Sequence, residues 1–244
     1  MAGDQAAYLY GIVSAQTNPQ FQLWGVGNPP WRVHQVPIDS VSLLISYLEE
    51  DPSELGIEDA VKHVKVLEAA LQSGPVIPVR FGTITQSLAK VKQVIQSNLM
   101  GIQKELEGLT GKFEVGVKAY WKKEALLREL SGRYPDHPAF VLRANHDRSV
   151  AIELGQRVES LVEEWRKKVA AHLHPEILRL ASANQLNASP SPEMIYNAAF
   201  LVTPSQEMKL QQALEAFADK HSSEYEFHYT TRLPPYSFTK IKLS

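Results

Sequence analysis

The chain has 244 residues, with 25 Lys and Arg against 27 Asp and Glu and a formal net charge of -2. That balance offers no general attraction for nucleic acid or anionic lipid, and the length fits one large domain or two modest ones with a sizeable core. There is no cysteine, which excludes disulfides and thiolate chemistry and suits a cytosolic protein. No apolar run approaches the span of a membrane helix, and MAGDQAAYLYGIV lacks a basic stretch ahead of an apolar one. Neither a transmembrane segment nor a secretory signal is expected.

From the N-terminus, Ala6 to Val13 reads as a strand with Tyr8 and Tyr10 on one face. The Asn-, Gly- and Pro-rich stretch ending in GVGNPPW is a loop. Trp31 to Val36 and Val41 to Leu48 are the next strands, the second nearly continuous in apolar residues and so central in a sheet. After the acidic turn EEDPSE, a helix is expected from Ile57 to Gln72, its buried stripe at Ala60, Val64, Leu67 and Leu71, ended by Ser73-Gly74-Pro75. Pro75 to Val79 is a short edge or irregular strand, because each proline removes a ladder donor. Thr83-Ile84-Thr85-Gln86 has the form of a capping box. The helix beyond it, to about Leu106, has a stripe at Ile84, Leu88, Val91, Ile95, Leu99, Ile102 and Leu106. Packing within the chain or on a partner helix would give the same spacing, the former being favoured.

The economical division is a first domain of residues 1–110 and a second of 111–244, with a boundary around 108–112. In the second, KFEVGVKAYW alternates, Phe113, Val115, Val117 and Ala119 against Glu114 and Lys118. Helical segments follow, interrupted at SGRYPDHPAF and ANHDRS. A long helix from Ser149 to Leu173 has its stripe at Val150, Leu154, Val158, Leu161, Trp165 and Val169. ILRLASANQL and MIYNAAFLV read as strands. A helix capped by Thr203-Pro204-Ser205-Gln206 then buries Met208, Leu210, Leu214 and Phe217, and SEYEFHYT and YSFTKIKL close the chain as strands. The fold class predicted is α+β, two small sheet-helix domains. The second, and by analogy the first, is a modified ferredoxin-like fold, from the β-α-β-β-α-β order that starts at Lys112.

Catalytic chemistry finds little support. His172 and His174, followed by Glu176, sit near a helix C-terminus, where a histidine interacts favourably with the helix dipole; a metal site is the weaker reading. His146-Asp147 and Asp136-His137 are adjacent pairs without relay geometry, no serine sits in a GxSxG elbow, and GVGNPP and FGTI make no phosphate loop. No catalytic residue, cofactor or metal site is therefore assigned, and an enzyme is not expected. Arg80 can bridge its turn to a carboxylate or present an anion-binding fork, and the bridge is favoured. Lys122 and Lys123, and Arg166, Lys167 and Lys168, read as solvated helix faces.

In combination and order, YLYGIV, LEAALQSGPVIPVRFGTI, NAAFLV and PPYSF resemble the gas vesicle protein F and L family, over most of the chain. Compact length and a directly structured start make the F branch the closer likeness. The resemblance implies a minor structural or accessory protein of gas vesicles, the hollow protein-walled organelles that give aquatic microbes buoyancy. It also implies contact with the small, hydrophobic principal shell protein GvpA and with other accessory proteins, and location in the gas vesicle with a cytoplasmic pool during assembly. The family's PVRFG segment falls on Pro78, Val79, Arg80, Phe81 and Gly82, and its terminal signature on Pro234, Pro235, Tyr236, Ser237 and Phe238. Of these, Arg80, Phe81, Pro234, Pro235, Tyr236 and Phe238 are the candidate structural or interaction residues. Family endings often carry a glycine and a tryptophan where this chain has Thr231-Arg232-Leu233. Tyr236 and Phe238, two apart, are expected on one face of an extended segment, chiefly as an anchor for the tail on its own domain. The alternatives to gas vesicle assembly are a generic cytoplasmic scaffold and, less favoured, a hydrolase or transferase.

Overall fold

The computed structural model describes residues 6–17, 24–48, 55–134 and 136–241. The acidic turn at 49–54 and the end of the expected last strand at Lys242 lie outside the described residues. The chain is α+β and divides into two compact units: residues 1–114 with 232–244, and residues 115–231. The C-terminal segment, expected with the second half, thus belongs to the first unit, and a buried carboxylate described below holds it there.

In the first unit, β1 (Ala7–Ser14), β2 (His34–Ile38), β3 (Val41–Tyr47) and β4 (Val76–Pro78) form a sheet in the order β2-β3-β1-β4, with a short β5 (Ile84–Thr85) also paired to β1. All the pairings of β1 are antiparallel. β1 is buried from Ala7 to Val13, which requires cover on both faces. Helix α1 (Ile57–Ser73) packs on β1 and β4, while α2 (Leu88–Ser97) and α3 (Leu99–Leu109) pack on β2, and on β1 and β4, respectively. A register shift between Leu9 and Gly11 breaks the alternation, so Tyr8, Tyr10 and Val13 join one core cluster with Val66, Leu67 and Ala70 of α1. Gly11 lies at this shift; a Cβ there would come within 2.8 Å of the Ile77 carbonyl oxygen and the Leu67 side chain.

Several expectations shift here. β2 starts at His34 and includes Pro37, tolerated because β2 is the edge of the sheet. The Thr83–Gln86 box does not cap a helix: Ile84 and Thr85 pair with β1 instead, and the Ser87 side chain accepts the Lys90 N–H. One long helix is in fact two, broken at Asn98, whose side-chain amide bonds the Val94 carbonyl. The stripe holds across the break, with Leu88, Val91, Ile95, Ile102 and Leu106 buried against the unit's own sheet. On α1 the buried face is His63, Val66, Leu67 and Ala70, leaving Ala60, Val64 and Leu71 half-buried. A polar His63 displaces the apolar stripe because its ring is fully hydrogen-bonded inside the core.

The second unit is built on a four-stranded sheet of β6 (Phe113–Trp121), β7 (Ala183–Leu186), β8 (Met194–Val202) and β9 (Tyr225–Leu233) in the order β7-β8-β6-β9, the strand ends Phe113, Glu114, Arg232 and Leu233 counting with the first unit. Two short helices, α4 (Lys123–Arg133) and α5 (His137–Ala144), precede α6 (Arg148–Leu178), and α7 (Pro204–Lys220) follows β8; α6 and α7 pack on β8. Asp147 caps α6 by accepting the Ser149 and Val150 N–H groups. α6 outruns its expected end and passes through Pro175, so β7 is only four residues long. An internal proline costs about 3 kcal/mol, and the stripe carries on past it, with Leu173 and Ile177 fully buried, to offset that cost. The Thr203–Gln206 capping box forms as expected. Replacing Thr203 by alanine should cost about 1 kcal/mol, read as a lower urea midpoint at unchanged slope. Leu210, Leu214 and Phe217 are buried, but Met208 is 61% exposed. The described part of YSFTKIKL, to Ile241, is not a strand: Tyr236–Phe238 form a single 3-10 turn.

Candidate functional site

The PVRFG turn and the C-terminal tail meet on the first unit, and the two N-terminal tyrosines fix the turn. His63 Nε2 lies 3.1 Å from the Val79 carbonyl, which can only accept, so Nε2 carries the proton and Nδ1 is the acceptor. Tyr8 Oη, 2.8 Å from Nδ1, therefore donates to it and itself accepts the Gly82 N–H at 3.1 Å. One chain thus runs from Gly82 through Tyr8 and His63 to Val79, closing the turn on the core. Burial pushes the His63 pKa down to about 4, against a smaller opposing effect of the Val79 carbonyl, so the ring is neutral at pH 7. Burial likewise raises the Tyr8 pKa.

Tyr10 forms the second chain. The Ser46 hydroxyl donates to the Arg32 carbonyl at 2.9 Å, so Tyr10 Oη donates to Ser46 and accepts the Val26 N–H at 3.0 Å. This ties the GVGNPP loop to the sheet, and Asp59 of α1 accepts the Gly27 N–H at 2.8 Å from the other side. A Cβ at Gly25 would sit 1.8 Å from Tyr10 Oη. Gly25→Ala should therefore break this chain, costing about 1–3 kcal/mol, which a thermal unfolding shift would show.

Backbone bonds complete the turn: the Val79 N–H donates to Tyr10 and the Leu9 N–H to Thr83, while the Arg80 carbonyl accepts both the N–H and the hydroxyl of Thr83. Gly82 has φ +81, a left-handed conformation suited to glycine. Arg80 does not form the expected bridge. It is exposed, and no ion pair joins its guanidinium to a described residue. The turn holds its shape through the backbone and Tyr8.

The tail is held by a group that the alternation of β6 assigns to the outer face. Glu114 is only 7% exposed, and its two oxygens accept the Ser237 N–H at 2.7 Å and the Ser237 hydroxyl at 2.9 Å. Burial raises its pKa, with the two Ser237 bonds opposing. A second carboxylate, Glu105, accepts the Lys240 N–H. Pro234 and Pro235 are buried, whereas Tyr236 is 38% exposed and Phe238 half-buried. The prolines and Ser237 anchor the tail, not an extended aromatic pair. In the segment that departs from the family ending, Arg232 has φ 57, and its guanidinium lies over the Phe113 ring.

Turn, α1 and tail enclose a groove of about 650 Å³ lined by Ala60, His63, Val64, Pro78 to Phe81, Thr83, Tyr236, Thr239 and Ile241. This brings Arg80, Phe81 and Tyr236 together; Pro234, Pro235 and Phe238 lie outside its lining. His63, Glu114 and Ser237 were not singled out in the sequence as site residues.

Elsewhere, the two histidines near the end of α6 are hydrogen-bonded within the chain. His172 Nδ1 bonds the Lys168 carbonyl of its own helix, and His174 Nδ1 pairs with the Tyr196 hydroxyl. Among the described residues no three His, Cys, Asp or Glu are grouped to hold a metal, and no helix is long and apolar enough to cross a membrane. Lys123 and Lys167 are exposed, while Arg166 pairs with Glu163 and Lys168 with Glu224.

The family model for gas vesicle synthesis protein GvpL/GvpF matches residues 6–240. The chain is 26% identical to gas vesicle protein F of Microcystis aeruginosa (strain PCC 7806), over 96% of this chain and 98% of the relative, and 26% identical to that of Nostoc sp. with the same coverage. It is also similar to the crystal structure of the gas vesicle protein GvpF from Anabaena sp. PCC7120, with a TM-score of 0.80 and 25% identity, covering 98% of this chain and 97% of that one. The GvpF structure from Microcystis aeruginosa shares the fold at a TM-score of 0.77. With the match running from the tyrosine strand to the clamped tail, the chain belongs to the gas vesicle synthesis protein GvpL/GvpF family.

Proposed function

We propose that this protein is a non-enzymatic accessory or minor structural component of gas vesicle assembly that binds the principal shell protein GvpA and limits its premature aggregation during nucleation. The observation that carries this reading is the family match across residues 6–240. The groove supports it: the family-like PVRFG turn and tail are held rigidly in place, yet Arg80 and Tyr236 remain exposed on its rim. A protein that covers apolar subunits before they assemble needs such a surface and no assembled acid, base and nucleophile. Other accessory proteins are further partners, and the protein acts at the gas vesicle with a cytoplasmic pool during assembly. We also read the two units as two domains. The second is a modified ferredoxin-like one, a reading supported by the sheet order β7-β8-β6-β9 around α6 and α7.

Deletion of the gene in a gas-vesicle-forming host should reduce vesicle number or alter vesicle shape, with restoration on complementation, scored by electron microscopy. Unchanged vesicle number, size and collapse pressure would contradict the role. Washing isolated vesicles and probing for retained protein then separates a stable component from a transient factor.

A further inference from the structure

The groove of the first unit does not end at its lining. On α1, Ile57 is 87% exposed and Val61 49% exposed, and each lies three residues before a groove-lining residue, Ala60 and Val64 respectively. That spacing makes Ile57, Val61 and Val64 one continuous apolar strip along the helix. Arg80 stands at the rim of the same groove. Like Arg143, Arg148 and Arg179, it meets no carboxylate among the described residues, but unlike them it lies in the groove lining. Among the described residues, the titratable side chains of the lining besides Arg80 are Tyr236 and His63, the latter buried and hydrogen-bonded on both nitrogens. Beside the strip, Lys62 is paired with Asp59. An apolar channel with one uncommitted guanidinium is complementary to an apolar segment carrying one carboxylate. Its volume of about 650 Å³ is also within the roughly 300–1,000 Å³ of sites that enclose a ligand.

We propose that this groove docks an apolar segment of the shell protein, the apolar side chains lying on Val61, Val64 and Phe81 and a single acidic side chain of that segment forming a forked pair with Arg80. The inference rests on the reading above and adds the site and the chemistry it selects. An arginine can hold a carboxylate through two parallel N–H bonds. The turn that carries Arg80 is fixed at both ends by the Tyr8–His63 chain, so little order is lost on binding. Arginine and aromatic anchors at the centre of an apolar contact carry most of the energy of an interface.

The test is co-purification of the full chain with the shell protein from cells producing both, using wild type, Arg80→Glu, Val61→Asp and, as control, Lys209→Glu on exposed α7 of the second unit. Arg80→Glu and Val61→Asp should each lower recovery of the shell protein about tenfold or more, the cost of roughly 1.4 kcal/mol. Lys209→Glu should match wild type, and thermal unfolding should be unchanged in all three. Lysine at one acidic position of the shell protein should restore binding to Arg80→Glu. Should a reversed charge disturb folding, Arg80→Gln supplies the same comparison. Wild-type recovery by both groove variants would overturn the docking site while leaving shell-protein binding intact. No recovery by wild type would overturn the binding reading and this site with it.

Discussion

Replacing His63 by leucine should lower stability at pH 7 by about 2–4 kcal/mol, although leucine fills a similar volume. The cost is polar. Without the imidazole, the Tyr8 hydroxyl proton and the Val79 carbonyl both lose a partner inside the core, and an unmet buried group costs about 1–3 kcal/mol. The same residue sets a pH dependence. The folded-state pKa of about 4 lies below the ordinary 6.5, so the unfolded chain takes up the proton first as pH falls. Stability from His63 is complete above pH 6.5, declines through the interval, and is gone below about pH 4. A shift of this size corresponds to about 3 kcal/mol. Glu114 has the opposite sign, its raised pKa giving stability that is present at low pH and lost as pH rises past its ordinary 4.5. The difference between wild type and His63→Leu isolates the histidine. Urea unfolding from pH 7 to pH 4 should show the two curves converging on acidification, and parallel curves would contradict a neutral, buried His63.

Glu114→Ala should have a comparable effect, about 2–4 kcal/mol, by releasing the tail. A hydrogen bond to a charged group contributes about 1.5–3 kcal/mol, and Glu114 makes two to Ser237. Their loss also frees Pro234 and Pro235 from their buried seats. Glu114→Gln, which keeps one accepting oxygen, should fall between alanine and wild type, and Ser237→Ala, which keeps the backbone bond, should cost only about 1 kcal/mol. Hydrogen exchange at the Ser237 amide gives the local readout: slow in wild type, fast in Glu114→Ala. An amide equally protected in both would mean that the carboxylate does not hold the tail.

What the sequence makes legible follows from periodicity. The apolar stripes of α2, α3 and α7, the alternation of Phe113, Val115, Val117 and Ala119, and the Thr203–Gln206 box all report positions where burial or a local cap decides the outcome. The misses at His63, Glu114 and the tail share a cause, which is a long-range polar contact overriding a local pattern. His63 enters the core because Tyr8, 55 positions away, and Val79 satisfy it. Glu114 is buried, against its place in the alternation, because Ser237 returns to it across 123 positions. The tail turns at Tyr236–Phe238 instead of extending for the same reason. Pro175 sits inside α6 because Leu173 and Ile177 continue the buried stripe around it. Of the site, Arg80, Phe81 and Tyr236, with their supports Tyr8 and Ser237, lie in the family-like segments, while His63 and Glu114 carry no sequence signal of their own.

The central claim, that the PVRFG turn and α1 strip face the shell protein, is tested most directly by placing a photoreactive phenylalanine analogue at Phe81 or Ile57, and at exposed Met208 as a control, in a gas-vesicle-forming host. Illumination during vesicle formation should join the shell protein to the probe at 81 and at 57, and not to the probe at 208. Capture of the shell protein from 208 with none from 81 or 57 would contradict the account.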